Sequence, residues 1–475
     1  MRRNYVGDVR IFKFMYIEQL YTNCLAEAAY YIESEGEAAI VDPIRETDAY
    51  IQMAAARGAK IKFVFETHVH ADFVSGHLDL AAATGATIVF GPGADTNYAV
   101  HEAYDGEIFK IGNITIEAMH TPGHTPESTC YLLRDETGTQ KAIFTGDTLF
   151  VGDIGRPDLL GGTMTKEQLA SMSYDSMQKL KSLPDDLTVY PAHGPGSACG
   201  KNIGKETWST LGVQKKTNYA LQTMTREAFV NTLTHGLAAP PQYYFEDAKI
   251  NKRGYAPLAE VLTKNVQALT LPAFDAAIAN GALVLDARSP LVFEEGFIPN
   301  AMNIGLDDKY AWWAGTLIAI STPIVIVAPA GREEEAVRRL ARIGYENVGG
   351  YLEGGFETWL NAGRKVETLR SIEPEEFADA RAGAEVLDVR NPGEWANGHI
   401  EGAKFIPLGE LESRLSELDP SEEYLIHCGG GYRSMIAASL MRRHNFENLV
   451  NVHGGFSKMK AVVPELVVSG DAVEV

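Results

Sequence analysis

The second half of the chain is written twice, and that duplication leaves few architectures open. Leu285-Asp286-Ala287-Arg288-Ser289-Pro290 corresponds to Leu387-Asp388-Val389-Arg390-Asn391-Pro392, and Gly296-Phe297-Ile298-Pro299-Asn300-Ala301 to Gly398-His399-Ile400-Glu401-Gly402-Ala403. Gly354-Gly355-Phe356 returns as Gly454-Gly455-Phe456. A period of about one hundred residues is too long for a solenoid unit and suits two tandem small domains. The 475 residues exceed what one core holds. We therefore expect an N-terminal domain over 1–250, a linker over 251–266, and the two copies over 267–366 and 370–475.

The first half alternates strand and helix, the pattern of a layered α/β domain. Strands are expected at 29–32, 38–43, 61–65, 87–90, 130–133, 142–145 and 187–190, and helices at 50–56, 78–84 and 205–230. Residues 238–241 and 250–254 read as connecting loops. The run Met15-Tyr16-Ile17-Glu18-Gln19-Leu20-Tyr21 looks like a natural first strand, which makes the residues before it an extension.

Chemistry collects at strand ends. Thr67-His68-Val69-His70-Ala71-Asp72-Phe73 offers two imidazoles and a carboxylate to one cation. His124 follows in His120-Thr121-Pro122-Gly123-His124, Asp147 in Thr145-Gly146-Asp147, and His193 in Pro191-Ala192-His193-Gly194. In this order the four loops resemble the metallo-β-lactamase superfamily, which implies an αββα sandwich. The Asp-x-Arg and Gly-His-Ile-x-Gly-Ala signatures of the second half resemble rhodanese domains, which implies two further α/β domains, each a parallel sheet flanked by helices.

In the second copy, the strand-like Tyr424-Leu425-Ile426-His427 runs into Cys428-Gly429-Gly430-Gly431-Tyr432-Arg433 and then a helical run. A cysteine in a glycine-rich turn at a helix entrance sits among backbone N–H groups that stabilise a thiolate, and a persulfide equally. Cys428 is the expected nucleophile, Gly429, Gly430, Gly431 and Tyr432 its cradle, and Arg433 the residue that closes the loop. The motif is similar to the active loop of sulfurtransferases. The first copy has Ala328-Pro329-Ala330-Gly331-Arg332 there and no cysteine. It reads as catalytically inactive and architectural.

Phe73 stands where a two-zinc hydrolase of the superfamily needs a second-metal histidine. The sequence thus resembles the persulfide dioxygenase branch, which implies one Fe(II) per chain on His68, His124 and Asp147, with His70, Asp72 and His193 as surrounding groups that orient ligands or substrate. Two histidines and a carboxylate with open positions suit non-haem iron. The resemblance implies O2-dependent oxidation of a thiol persulfide, of glutathione or coenzyme A type, to sulfite and thiol, with Cys428 forming or consuming thiosulfate. Arg156 is a candidate for a substrate carboxylate, with an ion pair the other reading. The alternative activity is a zinc-dependent thioester hydrolase of the hydroxyacylglutathione hydrolase type carrying rhodanese appendages.

A formal charge of −21 argues against a nucleic-acid or anionic-membrane partner, since either would need a basic footprint. No apolar run reaches a membrane span. Cys24, Cys130, Cys199 and Cys428 are scattered without a C-x-x-C pair, as expected of free thiols in the cytoplasm. Cys24 and Cys130 read as small core residues and Cys199 as structural. The family resemblance implies a homo-oligomer, dimer or tetramer.

Overall fold

A computed structural model describes residues 9–12, 15–159, 164–237 and 239–469. The chain divides into two compact units, Met1–Glu260 with Ala341–Gly344, and Val261–Leu340 with Tyr345–Val475.

The first unit is built on two sheets. The seven-stranded sheet runs in sequence order: Val9–Phe12, Met15–Thr22, Glu27–Ser34, Glu37–Val41, Lys60–Phe65, Thr87–Phe90 and His101–Glu102. The six-stranded sheet has the order Ser209–Thr210, Thr188–Pro191, Gln140–Gly146, Thr129–Arg134, Ile114–His120 and Ile108–Ile111. One buried core joins their inner faces through Tyr30, Phe65, Phe109, Tyr131, Phe144 and Tyr190. A second core lies on the outer face of the six-stranded sheet, where Cys130, Leu132, Ile143 and Val189 meet Ala170, Met177 and Leu180 of the helix Lys166–Lys181. Tyr131 and Leu133 thus point between the sheets while Cys130 and Leu132 point to the helix, the period-two alternation of a strand covered on both faces. With helices Asp48–Arg57 and His77–Thr84 against the strand Lys60–Phe65 of the other sheet, the layering is α-β-β-α.

Three expectations need correction. Val9–Phe12 is a strand, antiparallel to Met15–Thr22 with Val9 opposite Glu18, so these residues belong to the sheet. The single helix expected over 205–230 is instead a short strand, the helix Leu211–Thr217, a 3-10 turn Tyr219–Leu221 and the helix Arg226–Thr234. Asn218 causes the break: its amide donates to the carbonyls of Phe150 and Asp153, and its Oδ1 accepts from the Ala220 N–H. The loop expected at 250–254, where the linker 251–266 was to start, is the end of the helix Tyr243–Arg253, and the helix Leu258–Asn265 fills most of the rest. Residues 239–241 carry no helix or strand, and Ala238 lies outside the described residues.

The second unit repeats one plan. Each copy has a five-stranded sheet: Ala268–Leu269, Val348–Leu352, Ile324–Val327, Leu283–Asp286, Met302–Asn303 in the first, and Arg370–Ile372, Leu449–Val452, Tyr424–His427, Glu385–Asp388, Lys404–Phe405 in the second. All pairings are parallel. The Asp-x-Arg signature has the same job in both. Arg288 clamps Asp286 and donates to Gly296 O at 2.8 Å; Arg390 clamps Asp388 and donates to Gly398 O at 2.8 Å. A buried bidentate pair that also donates to a loop carbonyl fixes the loop that leaves the strand. Phe297, which breaks the His399 signature, keeps its geometry: it stacks on Phe293 at 4.2 Å as His399 stacks on Trp395 at 3.6 Å.

Candidate metal centre and sulfur-transfer loop

Parallel strands deliver their loops on one side. Phe65 ends a strand that leads into the 66–73 loop, and Gly146 and Pro191 end the neighbouring pair that leads to Asp147 and His193. The 66–73 loop is pinned by buried groups: Thr67 donates from N and Oγ1 to Asp42 (2.7 and 2.8 Å), and the Val69 N–H donates to Glu127 Oε1 at 3.0 Å.

His68, His124 and Asp147 come together as a buried three-ligand set. The Nε2 atoms of His68 and His124 lie 3.9 and 3.5 Å from Asp147 Oδ2. Each ring is oriented from behind, His124 Nδ1 by Arg156 O at 2.8 Å and His68 Nδ1 by Thr67 Oγ1 at 3.0 Å. That leaves both Nε2 lone pairs for a metal. Gly155 makes this possible, since a Cβ there would fall 2.2 Å from Asp147 O and 2.9 Å from His124 Nδ1. Among the described residues Asp147 Oδ2 is buried with no hydrogen-bond partner, while Oδ1 is held by His193 Nδ1 at 2.7 Å. An orphaned carboxylate oxygen facing two imidazole nitrogens fits a divalent cation.

The electrostatics agree. Burial pushes the Asp147 carboxyl up, but the facing imidazoles, His193 above all through its charge and its hydrogen bond, outweigh it and hold it well below the usual range. Burial, aided by the neighbouring His70 charge, keeps His68 neutral, as a ligand must be.

The remaining residues stand apart from this set. His193 bridges Asp147 and Asp72, with Nε2 to Asp72 Oδ2 at 2.8 Å, and those two carboxylates overcome burial to keep it charged. Asp72, His193 and Cys199 form a second buried group. His70 belongs to a third, with Nε2 3.1 Å from Asp42 Oδ1 and 3.4 Å from Glu66 Oε2. Phe73 packs on its ring at 4.4 Å. Arg156 lies 5% exposed and grips Asp158 through two nitrogens at 2.7 and 2.8 Å, so its guanidinium is committed to an ion pair.

At the other site, the Gly431 N–H donates to Cys428 Sγ at 3.1 Å, and the thiol faces Ser434 Oγ at 3.6 Å. Gly455 closes over the loop: its φ is +54° and a Cβ there would meet Cys428 O at 2.3 Å. Arg433 is bound bidentately by Glu394 at 2.6 and 2.7 Å, which neutralises the cation expected to close the cradle. In the first copy Ala328 stands where Cys428 does, directly after the matching strand.

Sequence reasoning missed several supports. Asn251 donates to the carbonyls of His70 and Phe73, both at 2.8 Å, and accepts from the Ser75 N–H at 3.0 Å. Nothing near it in sequence announces that role. Glu394 could have been found, because Asn391-Pro392-Gly393-Glu394 is a capping box. Glu27, fully buried with both oxygens unpartnered among the described residues, has a carboxyl that burial pushes well up; no sequence signal marks it.

Residues 22–193 match the Metallo-beta-lactamase superfamily, and residues 270–362 and 373–462 match the Rhodanese-like domain. The chain is 34% identical over 159 residues to a probable hydroxyacylglutathione hydrolase, glo2, of Schizosaccharomyces pombe, a stretch covering 33% of this chain and 58% of that protein. It therefore spans little more than half the length of that relative. ETHE1 from Myxococcus xanthus is 29% identical, with a TM-score of 0.43 over 50% of this chain and 97% of that one, a superposition too loose to argue from. A metallo-beta-lactamase from Staphylococcus aureus subsp. aureus COL is 32% identical, with a TM-score of 0.63, and covers 72% of this chain and 99% of its own. Spanning that relative nearly end to end, the chain belongs to the metallo-beta-lactamase superfamily and carries two rhodanese-like domains behind that fold.

Proposed function

We propose that the chain is a bifunctional sulfane-sulfur enzyme. At the first site a low-molecular-weight thiol persulfide, of glutathione or coenzyme A type, is oxidised: RSS⁻ with O2 and water gives RSH, sulfite and a proton. At the second, the Cys428 thiolate attacks the outer sulfur of thiosulfate, the S–S bond breaks and sulfite leaves with the electron pair; a thiolate then takes the sulfur from the Cys428 persulfide. The reverse sequence makes thiosulfate.

One observation carries the reading. Among the described residues a single set, His68, His124 and Asp147, has two ring nitrogens turned toward an unpartnered carboxylate oxygen, while Phe73 fills the position of a second-metal histidine. Fe(II) held by these three residues would supply the redox chemistry. The protein's part is to hold the ligands in one tautomer through Arg156 O and Thr67 Oγ1 and to keep Asp147 ionised through His193. A cysteine in an N–H cradle elsewhere on the chain gives the sulfite a second use.

The name of the Schizosaccharomyces pombe relative favours a second reading, zinc-dependent hydrolysis of a glutathione thioester at the same ligands. Metal analysis of anaerobically purified protein, combined with O2 uptake on a panel of persulfides, separates the two. About one iron per chain with persulfide-dependent O2 uptake is the expected result. Zinc with thioesterase activity and no O2 uptake would replace the first reading with the second.

A further inference from the structure

A string of hydrogen bonds runs from Cys428 into the cysteine-less copy. The Cys428 thiol donates to Ser434 Oγ at 3.6 Å, and the Ser434 hydroxyl donates to Asn451 Oδ1 at 2.7 Å. Asn451 Nδ2 donates to Ser371 Oγ at 3.3 Å, and the Ser371 hydroxyl donates to Glu294, on the helix Pro290–Glu295 of the first copy. Strand register sets the middle step, because Asn451 and Ser371 are direct partners across the parallel strands Leu449–Val452 and Arg370–Ile372. Ser434 and Asn451 are buried, where such bonds polarise one another.

Every donor in the string points toward Glu294, and the carboxylate is the reason. It accepts and cannot donate, so it draws the Ser371 proton. Ser371 Oγ is then left to accept from the amide, which turns Asn451 with Nδ2 to Ser371 and Oδ1 to Ser434. The Ser434 hydroxyl faces two acceptors, Asn451 Oδ1 and, at 3.1 Å, Gly431 O. Its proton is therefore turned away from the sulfur, which meets Ser434 lone pairs and accepts from the Gly431 N–H at 3.1 Å. An amide does not hand protons on as hydroxyls do, so the string transmits orientation. It also accompanies the nucleophile. In the first copy Tyr351 stands three residues before Gly354 as Asn451 does before Gly454, and its strand partner is Ala268 where Asn451 has Ser371. The alanine side chain can neither donate nor accept, so the copy without the cysteine also lacks the string.

We propose that Glu294 is a positioning residue for Cys428: through Ser371 and Asn451 it keeps the Ser434 hydroxyl turned from the sulfur, so that the cysteine-less copy slows the loss of sulfur from loaded Cys428. This rests on the sulfurtransferase reading of Cys428. When a thiolate or sulfite attacks the outer sulfur of the Cys428 persulfide, the S–S bond breaks and Cys428 leaves with the electron pair. A hydroxyl donated to the departing sulfur would ease that step. The string withholds it, and the enzyme holds its sulfur longer.

The test uses the full chain with Ser371→Ala, Glu294→Ala, the two combined, Ser371→Thr, and the first two again beside Ser434→Ala. Alkylation of Cys428 by iodoacetamide, followed by peptide mass spectrometry, reads the sulfur without turnover. Cutting the string frees Asn451 to turn and Ser434 to donate to the thiolate, worth about tenfold in thiolate against about threefold lost in nucleophilicity. Either cut should thus speed alkylation about threefold at neutral pH and, after loading with thiosulfate, speed discharge to glutathione by a similar factor. The two cuts together should do no more than either, Ser371→Thr should match the unsubstituted chain, and neither cut should act where Ser434 is alanine. A gain that persists with Ser434→Ala, that adds between the two cuts, or that is missing altogether overturns the proposal. If the unsubstituted chain takes no sulfur from thiosulfate while the alkylation pattern appears, the sulfurtransferase reading falls and the hold of Glu294 on the Cys428 sulfur stands.

Discussion

Asn251 carries as much of the metal loop as the ligands' own neighbours do. One buried amide binds His70 O, Phe73 O and the Ser75 N–H, and removing it strands three backbone groups where water does not reach. Asn251→Ala should cost about 2–4 kcal/mol, since each unmet buried group costs roughly 1–3 kcal/mol and the loop relaxes in part. It should also speed metal loss on dialysis, read as metal per chain against time; retention equal to the unsubstituted chain would show that the loop stands without it. The ligands were legible in sequence because imidazole and carboxylate at strand ends are chemistry in themselves. Asn251 was not, because its partners lie nearly two hundred residues earlier and an asparagine before Lys-Arg-Gly reads as the start of a turn. Phe297 is a residue whose role the sequence left open. It departs from the His399 of the second copy, but a stack of two phenylalanines replaces a Trp-His stack, so Phe297→His would bury an imidazole against Phe293 and should destabilise by about 1–3 kcal/mol in denaturant melts.

Elements meet at clamps, and one of these titrates. His453, directly after the strand Leu449–Val452, lies between Glu373 Oε1 at 2.7 Å and Glu294 Oε1 at 2.9 Å, the latter on the helix Pro290–Glu295 of the other copy. Ser371 also donates to Glu294. Burial lowers the His453 pKa, but the two carboxylates win and raise it above the ordinary value. A histidine whose folded pKa is raised stabilises fully below the unfolded value, about 6.5, and loses that stability as pH climbs through the folded one. Thermal unfolding of the second unit should therefore move down between mildly acidic and mildly alkaline pH, and His453→Gln should flatten that slope. A slope that survives the substitution would assign the titration to another group. Gly455→Ala tests a second junction, because its Cβ would strike Cys428 O; sulfur transfer should fall at least about tenfold, a left-handed alanine alone costing roughly 1 kcal/mol, while O2 uptake holds. Elements were legible where periodicity was local, as in the strands at 61–65 and 142–145. They were misread at 205–230, where Thr210, Asn218 and Thr225 each cap a separate turn and the apolar pattern runs on across the breaks.

On the proposed chemistry, the whole molecule pairs two sites through a diffusible product. Duplication and motif order made the two folds legible from sequence, since repeat period and strand-end chemistry survive without any tertiary information. The contact of the first copy with the second was not, because Gly305, which accepts from Tyr432, carries no motif. If the proposed chemistry holds, sulfite from His68, His124 and Asp147 is the acceptor for sulfur on Cys428, and the two halves separate genetically. His68→Ala should abolish iron binding and O2 uptake while sulfur transfer from thiosulfate stays within about twofold, its site being built from other elements. Cys428→Ser should oxidise persulfide normally and accumulate sulfite without thiosulfate. Mixed, the two variants should again make thiosulfate, after a lag that shortens as protein concentration rises, because sulfite must cross bulk solvent from one chain to another. A mixture that yields none, with each variant active in its own half, would mean that sulfite passes between the sites only within one chain.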